Sequence, residues 1–482
     1  AELVEALPPL RGCGPELSYY TSEETGRLVY DLDLSAARRA TASLTVQLTD
    51  PAGAPVLEET FAPPLGRRVT VEFNAARLPI GTSRALATLT DAAGTVGGLT
   101  HDVLKLPPLD QGVEVKINRL TRRLLRGGEP YIPVGSDAGS SIERALECIG
   151  GQAANDFNHI HIWSGFAEFV STPNGRVPEL RPDDLLRMLD AAHEAGLTVT
   201  LNLSHWLSIN HFHQERFQNP DLTDEQILER AVEAVRVARG HPALLTWHLL
   251  DEPSPAYCSP EWTQRIYDAV RSEDPYHPAE INVCATGRNM LAYTGGSDLM
   301  SIDIYPIPTG HIGVIAPHTR FMYLGDVWRP VRWWIQSWAS LRETTALEES
   351  CMTYQAIVEG TRFVLFYNYR PSSWAAWSGL GQIAREVREL RPALIVERAD
   401  VAVATVEGEG RVIASLHRTG DRVWVIAVNR DTQPVEAELT LPLDCVDASA
   451  EVMFEGRRVT CNGRALEDLF EPMARHVYRI DL

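Results

Sequence analysis

Eight short apolar runs, alternating with amphipathic segments, occupy the middle of this chain between residues 131 and 369. The runs are YIPVG (131–135), FNHIHIW (157–163), LTVTLNL (197–203), LLTWHLL (244–250), EINVCA (280–285), LMSIDIY (299–305), PVRWWIQ (330–336) and RFVLFYNY (362–369). Two intervening segments, PDDLLRMLDAAHEAG and TDEQILERAVEAVRVARG, carry helix-start residues and end at Gly. Parallel strands buried on both faces have such continuous apolar sequences, so the alternation predicts a (β/α)8 TIM barrel.

A doubly wound parallel sheet is the alternative fold. Its dinucleotide-binding forms carry GxGxxG after the first strand, and the GSDAGSS found here lacks that spacing. The barrel is therefore favoured.

The sequences on either side of the barrel alternate apolar and polar residues, which is typical of antiparallel strands. ASLTVQLTD, RRVTVEFNA and RALATLTDAAG precede the barrel, whereas RVIASLHRTGDRVWVIAVNRD and VEAELTLPL follow it. Pro, Gly, Asp and Asn turns separate these runs. We predict a multidomain protein with an N-terminal antiparallel β-sandwich at residues 1–112, the barrel at 113–396 and a C-terminal antiparallel β-sandwich at 397–482.

The charge of the chain argues against a nucleic-acid partner. Its 64 acidic and 44 basic residues give a net charge of −20, which would repel a phosphate backbone. The densest basic run, NRLTRRLLRGG, contains no aromatic residue and is interpreted as a solvated linker. No apolar run reaches the roughly 18 residues that a membrane span needs, and AELVEALPPL lacks the pattern of a signal peptide. We expect no membrane partner, while a secreted, periplasmic or cytoplasmic location and a homo-oligomer all stay open.

The seven cysteines are scattered and form no CxxC pair, so no zinc or redox motif is indicated. Most are expected to be buried thiols. Cys445 and Cys461 could pair within the C-terminal domain, and the sequence does not decide this.

Polar and aromatic side chains collect at the predicted strand ends, where the loops of a barrel meet at one mouth. Strand four ends on Asp251 and Glu252, and strand six carries Asp303. Stacking aromatics beside carboxylates suit sugar rings. The candidate substrate-binding residues at these ends are Asp137, Trp163, His205, Trp206, Tyr305, Trp334, Gln336 and Tyr367.

Glu252 is the natural general acid for cleavage of a glycosidic bond. It follows a buried strand, so partial desolvation and the adjacent Asp251 charge would both raise its pKa and retain a proton. The alternative is that the DEP sequence only caps a following helix.

HPALLTWHLLDEP, with the helix before it, resembles the fourth strand of the (β/α)8-barrel glycoside hydrolases of the large retaining clan, which includes β-galactosidases and cellulases. LMSIDIYPIP and the order sandwich, barrel, sandwich are similar to bacterial members of that group. The resemblance implies hydrolysis of O-glycosidic bonds in an oligo- or polysaccharide without a cofactor, with Glu252 as acid/base. It also implies an Asn before that Glu and a nucleophilic Glu at the end of strand seven.

This sequence departs from the clan on both counts, because Asp251 replaces the Asn and Gln336 stands where the nucleophile is expected. The Asp-Glu pair also resembles the barrel hexosaminidases that use substrate assistance, in which the Asp orients an attacking acetamido group. Tyr305 or Tyr367 would then hold the acetamido oxygen.

A different carboxylate could also replace the missing nucleophile. Asp303 could be this second carboxylate, with a separation of roughly 5 to 5.5 Å for retention or about 6.5 to 9.5 Å for inversion. A loop acid such as Glu343 or Glu168 could serve, or the barrel could bind glycans without hydrolysing them.

Histidines around strands two and three raise the possibility of a metal-dependent hydrolase. They are His159, His161, His205, His211 and His213. An HxH pattern in a strand is a weak indication of a metal site, and we expect hydrogen bonds to sugar hydroxyls instead.

Overall fold

A computed structural model describes residues 8–92, 94–139, 141–163, 167–173, 175–207, 222–254, 258–284, 287–325, 327–368, 373–405, 410–445 and 448–482. The chain divides into two compact units, one formed by residues 1–110 with 116–120 and the other by residues 111–115 with 121–482. Over the described ranges, no helix combines the length and apolar character that crossing a membrane would require.

The first unit is an antiparallel β-sandwich, as the alternating sequence predicted. Its elements are β1 (Leu10–Pro15), β2 (Thr25–Leu32), α1 (Ala36–Arg39), β3 (Ser43–Thr49), β4 (Pro55–Phe61), β5 (Arg68–Asn74), β6 (Gly81–Asp91) and β7 (Gly94–Lys105). One sheet has the order β1-β2-β5 and the other β4-β3-β6-β7. Every second residue of β5 is buried, and Val71 shares one core with Val46 of β3 and Ala87 of β6. The period-two pattern therefore fills the space between the sheets.

The second unit contains a closed barrel of eight parallel strands. Residues 116–118 of β8 (Val115–Asn118) belong to the first unit. After β9 (Arg123–Arg126) and β10 (Glu129–Tyr131), the elements of the second unit are β11 (Val134–Asp137), α2 (Ile142–Ala154), β12 (His159–Ile162), β13 (Ala167–Thr172), β14 (Gly175–Leu180), α3 (Pro182–Glu194), β15 (Thr198–Asn202), α4 (Ser204–Leu207), α5 (Asp224–Ala238), β16 (Leu244–Asp251), α6 (Pro260–Glu273), β17 (Ala279–Val283), α7 (Arg288–Leu291), β18 (Leu299–Ile302), α8 (Ile315–Gly325), β19 (Val331–Gln336), α9 (Ala346–Val358), β20 (Phe363–Tyr367), α10 (Trp374–Glu389) and α11 (Arg391–Leu394). The barrel order is β11-β12-β15-β16-β17-β18-β19-β20, and β20 pairs with β11 to close it. The predicted TIM barrel is confirmed, with all eight predicted strands in it.

Helix starts in this unit follow the capping rules. Thr223 and Thr345 each accept a hydrogen bond from the backbone three residues on, while Gln226 and Glu348 bond back to the cap. These reciprocal bonds satisfy amide groups that a helix leaves unpaired at its start. The two helices predicted by periodicity are α3 and α5.

The barrel interior is unusually polar. Bulky apolar residues normally fill it, yet His159 bonds to Thr198 at 2.8 Å and to Thr200 at 3.0 Å, and Thr200 bonds to Thr246 at 2.6 Å. All four side chains are buried. These bonds satisfy the polar groups, whose burial would otherwise cost stability.

The chain ends in an antiparallel β domain, as predicted. Its strands are β21 (Arg398–Asp400), β22 (Ala402–Thr405), β23 (Val412–Thr419), β24 (Arg422–Asn429), β25 (Val435–Thr440), β26 (Ser449–Val452), β27 (Arg457–Asn462), β28 (Ala465–Phe470) and β29 (Arg475–Asp481). They form one nine-stranded sheet in the order β21-β23-β24-β29-β26-β27-β28-β25-β22. Val425 of β24 and Leu439 of β25, five strands apart in that order, share one core. The two layers of the domain are therefore parts of a single sheet that folds over itself.

All seven cysteines are free thiols. Cys445 and Cys461 lie in the core of the C-terminal domain, where burial raises the pKa of the Cys445 thiol to about 12.

Candidate functional site

Three carboxyl groups meet where strands β16 and β18 end. Asp251 is the last residue of β16, Glu252 follows it, and Asp303 follows β18. Asn282 of β17 lies between the two strands, and its backbone oxygen accepts a hydrogen bond from the Glu252 amide at 2.9 Å. Glu252 has φ = 49°, in the left-handed region that residues other than Gly rarely adopt. The barrel register thus brings the three predicted catalytic residues together at one side of the mouth.

Burial and mutual repulsion favour a retained proton in this cluster of three carboxyl groups. The pKa of Glu252 is raised, first by burial and then by the charge of Asp251. The pKa of Asp303 is also raised, by burial and by the charges of Glu252 and Asp251. Neighbouring carboxyl groups in a buried site retain a proton, because ionising all of them is costly.

Asp251, like Glu252, is partly exposed. Its side chain is 34% exposed, and its Oδ1 accepts a hydrogen bond of 3.0 Å from the Asn282 amide. His248 Nε2 faces the same oxygen at 3.8 Å. The exposed carboxylate can therefore accept a hydrogen bond from a bound ligand while its inner oxygen is held in place.

A cluster of buried charged and polar side chains lies on the barrel strands next to the carboxyl groups. Arg332 of β19 forms an ion pair with Glu280 of β17, and both side chains are fully buried. His248 Nδ1 lies 3.1 Å from Glu280 Oε1 and 3.3 Å from an Arg332 nitrogen. Arg332 Nε also donates to Ser301 Oγ at 3.1 Å. A buried charge pair with this many partners fixes side-chain geometry.

Four aromatic rings at the strand ends pack against one another in a row. Trp163 stacks on Trp334 at a centroid distance of 5.8 Å, and Trp334 packs edge-on against Tyr367 at 6.0 Å. Tyr367 in turn stacks on Tyr305 at 5.6 Å. Trp163, Tyr305 and Tyr367 are half-buried, whereas Trp334 is 1% exposed. Trp163 Nε1 donates to Asp137 Oδ2 at 3.1 Å, which fixes the orientation of the indole. The accessible rings and the carboxyl groups together match the polar and apolar faces of a sugar.

Both ends of the Gln336 side-chain amide are hydrogen-bonded to the backbone. Its Oε1 accepts from the Ile307 amide at 2.9 Å, its Nε2 donates to the Ile307 carbonyl at 2.8 Å, and the side chain is fully buried. Both ends of the amide are thus used to hold the loop that follows β18. Gln336 positions that loop.

The remaining predicted residues are dispersed. Trp206 is 3% exposed and belongs to the barrel core. The His205 side chain, His211 and His213 lie outside the described residues. Glu168 is exposed on β13, near Arg181 at 4.0 Å, and Glu343 accepts from the Ser373 amide at 2.9 Å.

Among the residues that the structure describes, His161, His248 and Glu280 are spaced closely enough to hold a metal ion. Arg332 weighs against such a site, because its guanidinium already pairs with Glu280 and contacts His248. A divalent cation there would lie beside a fixed positive charge in a buried environment. His159 has both ring nitrogens bonded to threonine hydroxyls.

Sequence reasoning missed Asn282, Ser301, Arg332, Glu280 and His248. These residues are charged or polar side chains within continuous apolar strands. Where two of them stand two residues apart they share one face of the strand, and that pattern could have identified them. Glu280 and Asn282, two residues apart in β17, are the clearest case.

No family model and no curated protein matches the chain. Solved structures match its fold. A cyclomaltodextrinase is 10% identical with a TM-score of 0.54, over 98% of this chain and 100% of its own. An Anoxybacillus alpha-amylase is 11% identical with a TM-score of 0.51, over 73% and 98% respectively, and a proposed glycoside hydrolase of Bacteroides vulgatus is 12% identical with a TM-score of 0.50, over 95% and 98%. At these identities the likeness shows the shared fold alone.

Proposed function

We propose that this protein is a glycoside hydrolase that cleaves glycosides of 2-acetamido sugars by substrate assistance. The observation that carries the proposal is the Asp251-Glu252 pair at the mouth, with Gln336 where a nucleophilic carboxylate would otherwise stand. The glycosidase names of the three structural neighbours support the general class of activity, hydrolysis of glycosides.

Glu252 is the general acid. Its raised pKa, caused by burial and by the Asp251 charge, keeps the proton that the leaving oxygen needs. As that proton is transferred, the bond from the anomeric carbon to the leaving oxygen breaks, and the acetamido oxygen of the same sugar attacks the anomeric carbon. The resulting cyclic oxazolinium ion is opened by water, whose proton returns to Glu252.

Asp251 orients the acetamido group. Its exposed carboxylate can accept the N–H of that group, which strengthens the nucleophilic character of the acetamido oxygen and stabilises the charge of the oxazolinium ion. Tyr305 and Tyr367, whose rings stack on each other at 5.6 Å, would contact the acetamido oxygen and methyl group.

Asp303 as an enzymatic nucleophile is the second candidate mechanism. It is favoured by its position among the three carboxyl groups. It is opposed by the direction of its pKa shift, because burial and the charge of Glu252 raise the pKa of Asp303 and so disfavour the anion that a nucleophile must be.

A glycan-binding barrel without hydrolysis and a metal-dependent hydrolase are the competing functions. Binding of an oligosaccharide with no new reducing ends on long incubation would support the first. Loss of activity on chelation, restored by added metal, would support the second.

The test compares aryl glycosides that carry a 2-acetamido group with matched glycosides that carry a 2-hydroxyl group. We expect hydrolysis of the 2-acetamido substrates, and a loss of about 10²–10⁴-fold in kcat/KM in Glu252→Gln, the usual contribution of a general acid. A dinitrophenyl leaving group needs no protonation, so it should recover most of that loss. Glu129→Gln, whose side chain on β10 is 82% exposed, is the matched control. Near wild-type rates in Glu252→Gln would reject the assignment, and equal rates on both substrate series would reject substrate assistance.

A further inference from the structure

A line of buried side chains connects strand β19 to the carboxyl groups at the mouth. Arg332 Nε donates to Ser301 Oγ at 3.1 Å, and Ser301 Oγ donates to Asn282 Oδ1 at 2.8 Å. Asn282 Nδ2 then donates to Asp251 Oδ1 at 3.0 Å. Arg332, Ser301 and Asn282 are 0–1% exposed. The line crosses four neighbouring strands of the barrel without a gap.

The chemistry of the two ends fixes the direction of every bond in this line. A guanidinium has donors only, so Ser301 accepts from Arg332 and has one hydrogen left to give. A carboxylate has acceptors only, so the amide group of Asn282 turns its NH₂ toward Asp251. The Asn282 oxygen then faces Ser301, which supplies the remaining hydrogen. With the amide reversed, the Asn282 oxygen would face the Asp251 carboxylate and the Ser301 hydrogen would lose its acceptor.

We propose that Arg332, Ser301 and Asn282 form a positioning relay that holds Asp251 as a hydrogen-bond acceptor for the substrate. This inference rests on the proposed function, in which Asp251 orients the acetamido N–H. The relay occupies Asp251 Oδ1 from inside the barrel, which leaves Oδ2 for the ligand. The relay also links the positive charge of Arg332 to Asp251 through hydrogen bonds. It thereby stabilises the Asp251 carboxylate against repulsion from Glu252 and Asp303.

Glu280 and His248 fix the inner end of the relay. Glu280 forms an ion pair with Arg332 and lies 3.1 Å from His248 Nδ1. This arrangement keeps the guanidinium in one position with Nε aimed at Ser301. Removal of Arg332 would leave the Glu280 charge buried and uncompensated, so that variant could simply fail to fold. Ser301 is neutral and central to the relay, and it provides the cleaner perturbation.

Ser301→Ala breaks the relay, Ser301→Thr retains its hydroxyl, and Ser297→Ala is the matched control. Ser297 accepts a hydrogen bond of 3.0 Å from Arg329 and precedes the opposite end of β18, away from the mouth. We expect kcat/KM on an aryl 2-acetamido glycoside to fall roughly tenfold in Ser301→Ala, the factor that corresponds to one hydrogen bond to a charged group. Ser301→Thr and Ser297→Ala should keep wild-type rates.

A double-mutant cycle with Asp251→Asn separates positioning from general damage. If the relay acts through Asp251, Ser301→Ala should produce no further loss of kcat/KM in the Asp251→Asn background. Full additivity, or an unchanged rate in Ser301→Ala with Asp251→Asn impaired, would overturn the relay while leaving the proposed function intact. A wild-type protein that hydrolyses no glycoside would reject both.

Discussion

Replacing Gln336 by Glu distinguishes the two accounts of catalysis most sharply. The clan resemblance places the nucleophile at this position, so Gln336→Glu should create or improve a retaining hydrolase if strand seven supplies that group. Substrate assistance predicts no gain. The structure adds a stability consequence, because the Gln336 amide holds both backbone groups of Ile307.

The expected loss of stability follows from those two bonds. The introduced carboxylate could still accept from the Ile307 amide, but its second oxygen would face the Ile307 carbonyl in place of the Nε2 donor. An unpaired buried carbonyl costs about 1–3 kcal/mol. A buried charge without a compensating partner brings the total to about 3–5 kcal/mol. Burial raises the pKa of the new carboxyl group in the folded state, so the deficit grows as the pH rises above roughly 4.3 and is complete above the folded pKa.

The assay combines urea unfolding at several pH values with kcat/KM on 2-acetamido and 2-hydroxyl glycosides. Gln355→Glu is the control, since Gln355 is fully buried and bridges the Ile312 carbonyl and the Ala316 amide away from the mouth. Both variants should lose stability, and neither should gain activity. A Gln336→Glu protein with wild-type stability and a higher kcat/KM would refute this reasoning.

Three more perturbations test individual contacts of the structure. First, kcat/KM should stay high well above the usual Glu pKa of roughly 4.3, because burial and Asp251 raise the pKa of Glu252. The alkaline limb of the pH profile of kcat/KM should move to lower pH in Asp251→Asn. An unmoved alkaline limb would contradict the assignment of Glu252 as the acid. Second, burial alone would raise the pKa of Asp274, but His277 and Trp247 lower it. The stability that this carboxylate contributes above roughly pH 3.9 should therefore fall as the pH drops through the depressed pKa. Asp274→Asn should weaken this acid sensitivity in thermal unfolding measured against pH. Third, Thr345→Ala removes a capping box and should cost about 1 kcal/mol in urea unfolding without changing kcat/KM.

The fold was predictable because its signals are local. Each barrel strand is a continuous apolar run, and α5 begins at a Thr-x-x-Gln capping pattern that can be recognised within four residues. The flanking strands alternate with period two, as in β5. The folding of the C-terminal sheet over itself was not predictable, since it depends on which strands pair across long separations.

The candidate site was predictable only in part. Barrel topology puts Glu252 and Asp303 at the same end of the barrel, on strands that only β17 separates. The relay from Arg332 to Asp251 joins four strands through side chains that no spacing along the chain relates. The burial of Trp206 and the use of Gln336 by the backbone depend on loop packing, for which the sequence carries no periodic signal.

The left-handed backbone of Glu252 has a consequence for evolution and engineering. A non-glycine residue in that region costs of order 1–3 kcal/mol, and its carboxyl group adds repulsion from Asp251. Selection for stability alone would replace Glu252 by Gly or Asn, which tolerate that conformation. The chain therefore keeps, at its mouth, a residue that the fold itself disfavours, and descendants that no longer need the chemistry should lose this glutamate before they lose the barrel.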